Sequence, residues 1–206
     1  TAPFIVQPML LPQGFFTEYA LKIKKALENR VPIAVAGSIK DPYMAEDLLE
    51  RGVTDLIAMG RPLLADPELP KKAREGRIDD IRKCIRCNQG CMDRMLMQQD
   101  ITCLGNPLCG YEKEREIKEA SEKKKVMVIG GGPAGMEAAR VAALRGHSVV
   151  LYERQHNLGG QMKLASIPPG KKDMEDLKDF LENQLKKLSV KIVTGCDVDS
   201  STVEEV

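Results

Sequence analysis

Val126-Met127-Val128-Ile129-Gly130-Gly131-Gly132-Pro133-Ala134-Gly135 reads as a buried strand running into a G-x-G-x-x-G turn at the mouth of a helix. Gly130, Gly132 and Gly135 permit a tight turn and a close approach of backbone to a pyrophosphate. The helix that follows offers unpaired N–H groups and a favourable dipole at its N-terminus. Glu153 closes the next apolar strand, about 20 residues on, where an acid is expected to accept hydrogen bonds from a ribose. A glycine triplet alone would be weak. Strand, turn, helix, second strand and terminal acid together point to a dinucleotide site, with a glycine-rich turn that binds no nucleotide as the minor alternative. These residues do not distinguish FAD from ADP or NAD.

Downstream of this turn, regular α/β order continues. A helix is expected over 134–144 with Gly146 as its stop, then a strand over 148–153. Met174, Leu177, Leu181, Leu185 and Leu188 lie at helical spacing in 173–188, and a strand over 190–194 follows. Upstream, residues 111–125 are mostly Glu, Lys and Arg, which fits a solvated helix or a linker at a domain boundary.

Further upstream the pattern becomes irregular and rich in cysteine. Cys84 and Cys87 are separated by two residues, Cys91 follows after three more, and Cys103 lies eleven residues beyond. Thiolates on a tight turn plus a more distant fourth can surround one compact centre, because soft sulfur ligands suit iron–sulfur clusters or zinc. Spacing leaves a cluster, zinc and redox thiols open, in that order. Cys109 is expected to be a buried thiol rather than a substitute ligand, and remote Cys196 to be structural. Arg86 sits inside the first ligand turn, where its charge would raise a cluster's potential; the plain alternative is a solvent-exposed side chain. Five of the six cysteines fall between positions 84 and 109, which favours a metal site over a disulfide framework.

The N-terminal third has its own α/β grammar. Phe16, Tyr19, Ala20, Ile23, Ala26 and Leu27 predict an amphipathic helix over 16–30, followed by a short strand over 31–36. Asp41-Pro42 supplies an N-cap and a first-turn proline for a helix carrying Met44, Leu48 and Leu49. A second strand covers 56–59. Gly37-Ser38 and Gly60-Arg61 thus stand at the C-terminal ends of two strands, where the last loops of a (β/α)8 barrel commonly bind phosphate. Two ordinary strand-end turns are the competing reading. Two strands cannot close a barrel, so the chain is expected to be an internal fragment.

Charge is balanced, with 31 Lys and Arg against 30 Asp and Glu, so no field is implied that would attract nucleic acid or an anionic membrane surface. No apolar run approaches the roughly 18–20 residues of a membrane span, and Thr1-Ala2-Pro3-Phe4 does not open a leader. A soluble, cytoplasmic protein is expected.

Taken in order, these elements resemble the 2,4-dienoyl-CoA reductase, enoate reductase and trimethylamine dehydrogenase group, relatives of old yellow enzyme with added iron–sulfur and FAD domains. The resemblance is carried by Met59-Gly60-Arg61-Pro62-Leu63-Leu64-Ala65-Asp66-Pro67, Cys84-Ile85-Arg86-Cys87-Asn88-Gln89-Gly90-Cys91, Cys103-Leu104-Gly105-Asn106-Pro107, the glycine turn and Gly159-Gly160-Gln161. It implies the C-terminal end of an FMN-binding TIM barrel over 1–78, an iron–sulfur segment over 79–110, a charged linker over 111–124 and the start of a Rossmann-like FAD domain over 125–206. By the same resemblance Gly37, Ser38, Gly60 and Arg61 hold FMN phosphate, Cys84, Cys87, Cys91 and Cys103 hold a [4Fe–4S] cluster, and Gly130, Gly132, Gly135, Glu153 and Gln161 bind FAD. NAD(P)H would deliver hydride to FAD, and electrons would pass through the cluster to FMN and on to an activated C=C bond of an enoyl-CoA or enoate. The group's proton donors would precede Thr1 and its nicotinamide segment would follow Val206, so these 206 residues alone are expected to be inactive. A homo-oligomer or larger complex fits the same picture. Competing readings are an amine dehydrogenase that passes electrons to a flavoprotein, an electron-transfer subunit without a substrate site, and a glutamate synthase-like electron-input subunit. Met59–Pro67 argues against the last.

Overall fold

A computed structural model describes residues 2–204, which fall into two compact units. The first runs up to Glu112 and includes Pro169–Asp173; the second comprises Lys113–Pro168 and the chain from Met174 onward.

The first unit opens with a short helix α1 (Ala2–Ile5), followed by α2 (Thr17–Ala26). α2 ends four residues before the expected position, because Glu28 and Asn29 both turn left-handed (φ 52° and 58°). Strands β1 (Ala34–Val35) and β2 (Leu56–Ile57) pair in parallel, with Ala34 opposite Leu56 and Val35 opposite Ile57. Both are shorter than their apolar runs. Pro32 has no N–H to give to a ladder, and each strand has one hydrogen-bonded neighbour among the described residues. Between them lies α3 (Pro42–Glu50), whose start matches expectation: the Asp41 carboxylate accepts the Tyr43 N–H at 2.9 Å and Pro42 occupies the first turn. Ala20, Val35, Ile39, Leu48 and Val53 form the buried core here, with Phe16, Leu21, Ile33 and Met44 packed on it. α4 (Arg61–Ala65) and α5 (Leu69–Arg74) follow, then the cysteine segment, which holds a π-helical turn over Gln89–Asp93 and a single helical turn α6 (Arg94–Leu96).

In the second unit, β3 (Lys125–Ile129), β4 (Ser148–Glu153) and β5 (Lys191–Thr194) form a three-stranded sheet in the order β3-β4-β5, every pairing parallel. α7 (Pro133–Leu144) connects β3 to β4. Gly146 (φ 89°) stops it, as its position after the last apolar residue implied. A short α8 (Gln161–Ser166) and the longer α9 (Asp173–Lys187) connect β4 to β5, and α10 (Ser200–Glu204) ends the described chain. Met136, Ala139, Leu151, Leu181 and Leu185 are almost fully buried. α9 buries Leu177, Phe180, Leu181 and Leu185, so Phe180 joins the expected face while Met174 and Leu188 lie at its margins. The charged stretch before β3 forms turns and extended backbone, not a helix. Among the described residues no helix is long and apolar enough to cross a membrane.

Candidate cofactor sites

Three cavities collect the residues singled out above. The first, of about 200 Å³, is lined by Gly37, Ser38, Gly60 and Arg61 together with Gln7, Lys40, Cys84 and Arg86. The strand-end turn bends sharply because Gly37 (φ 127°) and Ser38 (φ 56°) both have positive φ. A Cβ on Gly37 would stand 2.9 Å from the Phe16 ring. Buried Ser38 donates its hydroxyl to the Gln7 carbonyl at 3.1 Å and accepts from Arg61 Nη2 at 2.8 Å. Arg61 Nη1 donates to the Gln7 carbonyl at 2.8 Å and to Asn88 Oδ1 at 2.6 Å. The guanidinium is therefore fixed on three sides before any ligand arrives, which is the pre-organisation that anion recognition rewards.

Two further cations face this cavity. Lys40 and Arg86 are 3% and 5% exposed, and both bind Asp173: Lys40 Nζ to Oδ1 at 2.8 Å, Arg86 Nε to Oδ2 at 2.6 Å. Arg86 also donates to the carbonyls of Leu11 and Met9. The solvent-exposed alternative for Arg86 is thereby corrected. Its left-handed backbone (φ 52°) turns the side chain inward, and a carboxylate and two carbonyls replace the water it loses.

The second cavity is lined by all four cysteines of the motif, Cys84, Cys87, Cys91 and Cys103, with Arg61, Asn88, Gly90 and Leu104 among its other walls. None of the six cysteines forms a disulfide. Two left-handed residues, Arg86 and Asn88 (φ 63°), flank Cys87 and curl the backbone around it. Gly90 lets the distant fourth cysteine approach: a Cβ there would stand 2.8 Å from the Thr102 carbonyl and 3.1 Å from Cys103 Cα. The same contact carries a hydrogen bond from Thr102 N to Gly90 O at 2.7 Å. Asp66, 4% exposed, anchors the approach to Cys84 by accepting the Arg82 N–H at 2.9 Å and Lys72 Nζ at 2.7 Å. Asn106 ties the far side to α4 through the Leu64 carbonyl at 3.0 Å.

Burial pushes the Cys84 thiol up to about 11, against the Arg86 N–H (3.4 Å from its sulfur) and the charge of Arg61, while Cys103 and Cys87 push it further. Burial also raises Cys87, opposed by the N–H groups of Gln89 and Gly90. A metal centre would have to displace these protons, and the same N–H groups would then bond to its sulfurs. Cys109 is buried as expected, and burial raises its thiol too. Cys196 is partly exposed and lies in the second unit.

The third cavity, about 390 Å³, is lined by Gly130, Glu153, Arg154, Gln155, Gly160, Gln161, Lys163 and Leu164. Of the five residues named for it from sequence, Gly130, Glu153 and Gln161 face it. Gly132 is the N-cap of α7, and nothing stands within 4 Å of where its Cβ would be. Gly135 acts from behind: a Cβ there would lie 1.9 Å from the Gly130 carbonyl oxygen, so helix and turn can meet only at glycine. Glu153 receives the Gly131 N–H on Oε2 at 2.6 Å and the Gln155 N–H on Oε1 at 2.8 Å. These bonds, the Gln155 one foremost, hold its carboxyl below the usual range against the effect of burial. Each oxygen keeps a second lone pair for a ribose hydroxyl. Gly159 and Gly160 both have positive φ, and Gly159 N donates to Gly131 O at 2.8 Å, locking the second loop against the first.

Sequence reasoning missed Gln7, Lys40, Asn88, Gly90 and Asp173. Gly90 carried a signal, since a glycine between two cysteines of one turn marks close backbone contact. The others are polar residues whose burial depends on partners far away in sequence.

The sequence profile of the NADH:flavin oxidoreductase / NADH oxidase family matches residues 13–80, and that of the FAD dependent oxidoreductases matches residues 125–194. The NADH oxidase of Thermoanaerobacter brockii is 44% identical over 203 residues, which is 98% of this chain and 31% of that protein. A 2-naphthoyl-CoA reductase in complex with 2-naphthoyl-CoA superposes with a TM-score of 0.92 at 36% identity, covering 96% of this chain and 30% of that one. Histamine dehydrogenase from Rhizobium sp. 4-9 superposes at 0.88 with 29% identity, again over 96% of this chain and 29% of its own. The chain thus spans about 30% of the length of the relatives it matches. In both of its parts the chain is therefore similar to flavin-dependent oxidoreductases, the NADH:flavin oxidoreductase / NADH oxidase family over residues 13–80 and the FAD dependent oxidoreductases over residues 125–194.

Proposed function

We propose that this chain is the middle of an NAD(P)H-dependent flavin and iron–sulfur oxidoreductase that reduces activated C=C bonds of enoyl-CoA or dienoyl-CoA thioesters or of enoates. In this reading 1–78 is the end of an FMN-binding TIM barrel, 79–110 the [4Fe–4S] segment, 111–124 a linker and 125–206 the start of a Rossmann-like FAD domain. The observation that carries it is that Cys84 and Arg61 line both the first and the second cavity. A flavin in one and a cluster in the other would be separated by a single cysteine.

The residues present fit these groups. Lys40, Arg61 and Arg86 line the first cavity, with no carboxylate in its wall among the described residues. Asp173 offsets one of the three charges, and the surplus suits a phosphate dianion. Four thiols around the second cavity suit a sulfur-ligated centre. Thiol ligands alone suit an iron–sulfur cluster or zinc; a place in the chain between two flavin-type sites, where single electrons would pass, favours the cluster. In the third cavity, Gly130 and the α7 N-terminus would receive a pyrophosphate, Glu153 a ribose, and Gln161 the adjoining part of FAD. When bound, FAD would take hydride from NAD(P)H and the cluster would relay single electrons to FMN for reduction of the double bond.

The test is iron, acid-labile sulfide and flavin analysis of the complete gene product purified without oxygen. About four iron and four sulfide per chain with both FMN and FAD are expected; zinc without sulfide would sink the relay. Assays with NADH or NADPH and an enoyl-CoA then check the substrate class. The likeness to histamine dehydrogenase supports a second reading, an amine dehydrogenase. The 2-naphthoyl-CoA reductase stands ahead of it in both identity and superposition.

A further inference from the structure

Arg61 is shared by two cavities, and Asn88 is the residue through which it is held on the cysteine side. Asn88 follows Cys87 directly and its carbonyl accepts the Asp93 N–H at 3.0 Å, with Cys91 Sγ 3.8 Å from the same oxygen. Its carboxamide reaches away from the cysteines: Oδ1 accepts Arg61 Nη1 at 2.6 Å and Nδ2 donates to the Val6 carbonyl at 2.9 Å. Arg61 spends its other Nη1 hydrogen on Gln7 and one Nη2 hydrogen on Ser38, leaving Nε–H and the second Nη2–H for a ligand. The orientation of those donors thus depends on where Asn88 stands, and Asn88 stands where the backbone between Cys87 and Cys91 places it.

We propose that Asn88 is a positioning residue that couples the two cavities, so that a cluster on the cysteines and a phosphate group at Arg61 each raise the other's affinity. Ligation of Cys87 and Cys91 pins both ends of the turn in the left-handed conformation that Asn88 holds at φ 63°. The carboxamide is then fixed, and Arg61 meets its anion already oriented. Without a centre the turn is free to relax, Arg61 is left with Gln7 and Ser38 alone, and the anion must complete its ordering at a cost to affinity. Linkage makes the effect reciprocal. The inference rests on the cofactor reading above.

The experiment measures FMN binding to the complete gene product, stripped of flavin, with its cluster intact or removed by anaerobic chelation. In the natural sequence, removal is expected to weaken FMN about tenfold. Asn88→Gly keeps access to positive φ and loses the carboxamide. It should bind FMN about tenfold more weakly with the cluster present, and within about twofold of that value without it. Asn88→Asp retains the acceptor for Arg61 and should keep the dependence. Reciprocally, saturating FMN should raise about tenfold the chelator concentration that bleaches half the cluster in the natural sequence, a readout that needs no variant to fold. Equal FMN affinity with and without the cluster, or full dependence surviving in Asn88→Gly, would overturn the coupling alone. Absence of iron and sulfide would overturn the cofactor reading and this inference with it.

Discussion

The cavity at Gly37–Arg61 and the cavity at Gly130–Gln161 both suit phosphate, yet they are built from different materials. At the first, cations are buried and held by residues far away in sequence: Lys40 by Asp173, 133 positions on, and Arg86 by the same carboxylate, 87 positions on. At the second, backbone dominates. Gly135 abuts Gly130, Gly159 bonds to Gly131, and the carboxylate in its wall, Glu153, spends both oxygens on main-chain N–H groups. A backbone cradle fails when an atom is added. A charged cradle fails when a counter-charge is removed.

Adding one methyl at Gly135 is therefore the harshest test of the Gly130–Gln161 cavity. Its Cβ would sit 1.9 Å from the Gly130 oxygen, and neither α7 nor the turn can give way without losing the other. Overpacking commonly costs about 1–3 kcal/mol, and a backbone clash belongs at the top of that range or above it. Gly135→Ala should lose about 3 kcal/mol or more in denaturant unfolding, together with FAD. Gly132→Ala is the control, because its φ of −73° suits alanine and its Cβ would meet nothing within 4 Å. Unfolding should shift by less than about 0.5 kcal/mol while FAD binds more weakly, since the methyl stands where a pyrophosphate approaches. Equal unfolding midpoints for the two variants would break the distinction between cradle and contact.

The same contrast explains what could be read from the sequence. The 126–135 stretch and its acid are legible because strand, turn and helix N-terminus follow from local backbone rules, and β4 spans 148–153 as its apolar run predicts. The Asp41-Pro42 helix start is legible for the same reason. Around Cys84 the spacing announces convergence but not its agents. Gly90 enables it by backbone contact with Thr102, and Asp66 enforces it through Arg82. Lys40, Asn88 and Asp173 look like surface residues in one dimension. Their roles appear when chain closure buries them against partners, which no window of ten or twenty residues contains. Arg86 left a solvated alternative open for this reason: a lone arginine in a polar turn can read as solvated until the carboxylate that buries it is known.

Removing that carboxylate is the corresponding test of the first cavity. Asp173→Asn keeps shape and takes away the charge that Lys40 and Arg86 share, with side chains 4% and 6% exposed beside an aspartate at 12%. Breaking a buried pair from one side costs about 3–5 kcal/mol, and the slight exposure of Asp173 puts about 3 kcal/mol at the expected end. Asp47→Asn, which removes the exposed partner of Arg51, should cost less than about 0.5 kcal/mol. A loss at Asp173 no larger than at Asp47 would mean that the shared carboxylate does not hold the first cavity together.

The smallest effect is expected where the backbone cradle does use a charge. Glu153 is held below its usual 4.5 by the Gln155 N–H first of all, against burial, with the Gly131 N–H, Arg154 and Lys163 adding to the lowering. A carboxyl lowered on folding stabilises the fold fully above 4.5 and loses that contribution as pH falls through the folded value. Glu153→Gln keeps an acceptor for one N–H and discards the charge, so its deficit in unfolding stability should be largest at neutral pH. As pH falls from 4.5 through the lower folded value the deficit should shrink toward zero, because the natural glutamate is protonated there as well. Stability curves of the two proteins that run parallel from neutral to acid pH would show that the carboxylate contributes no charge to the loop. Glu153 would then serve the Gly130–Gln161 cavity by shape.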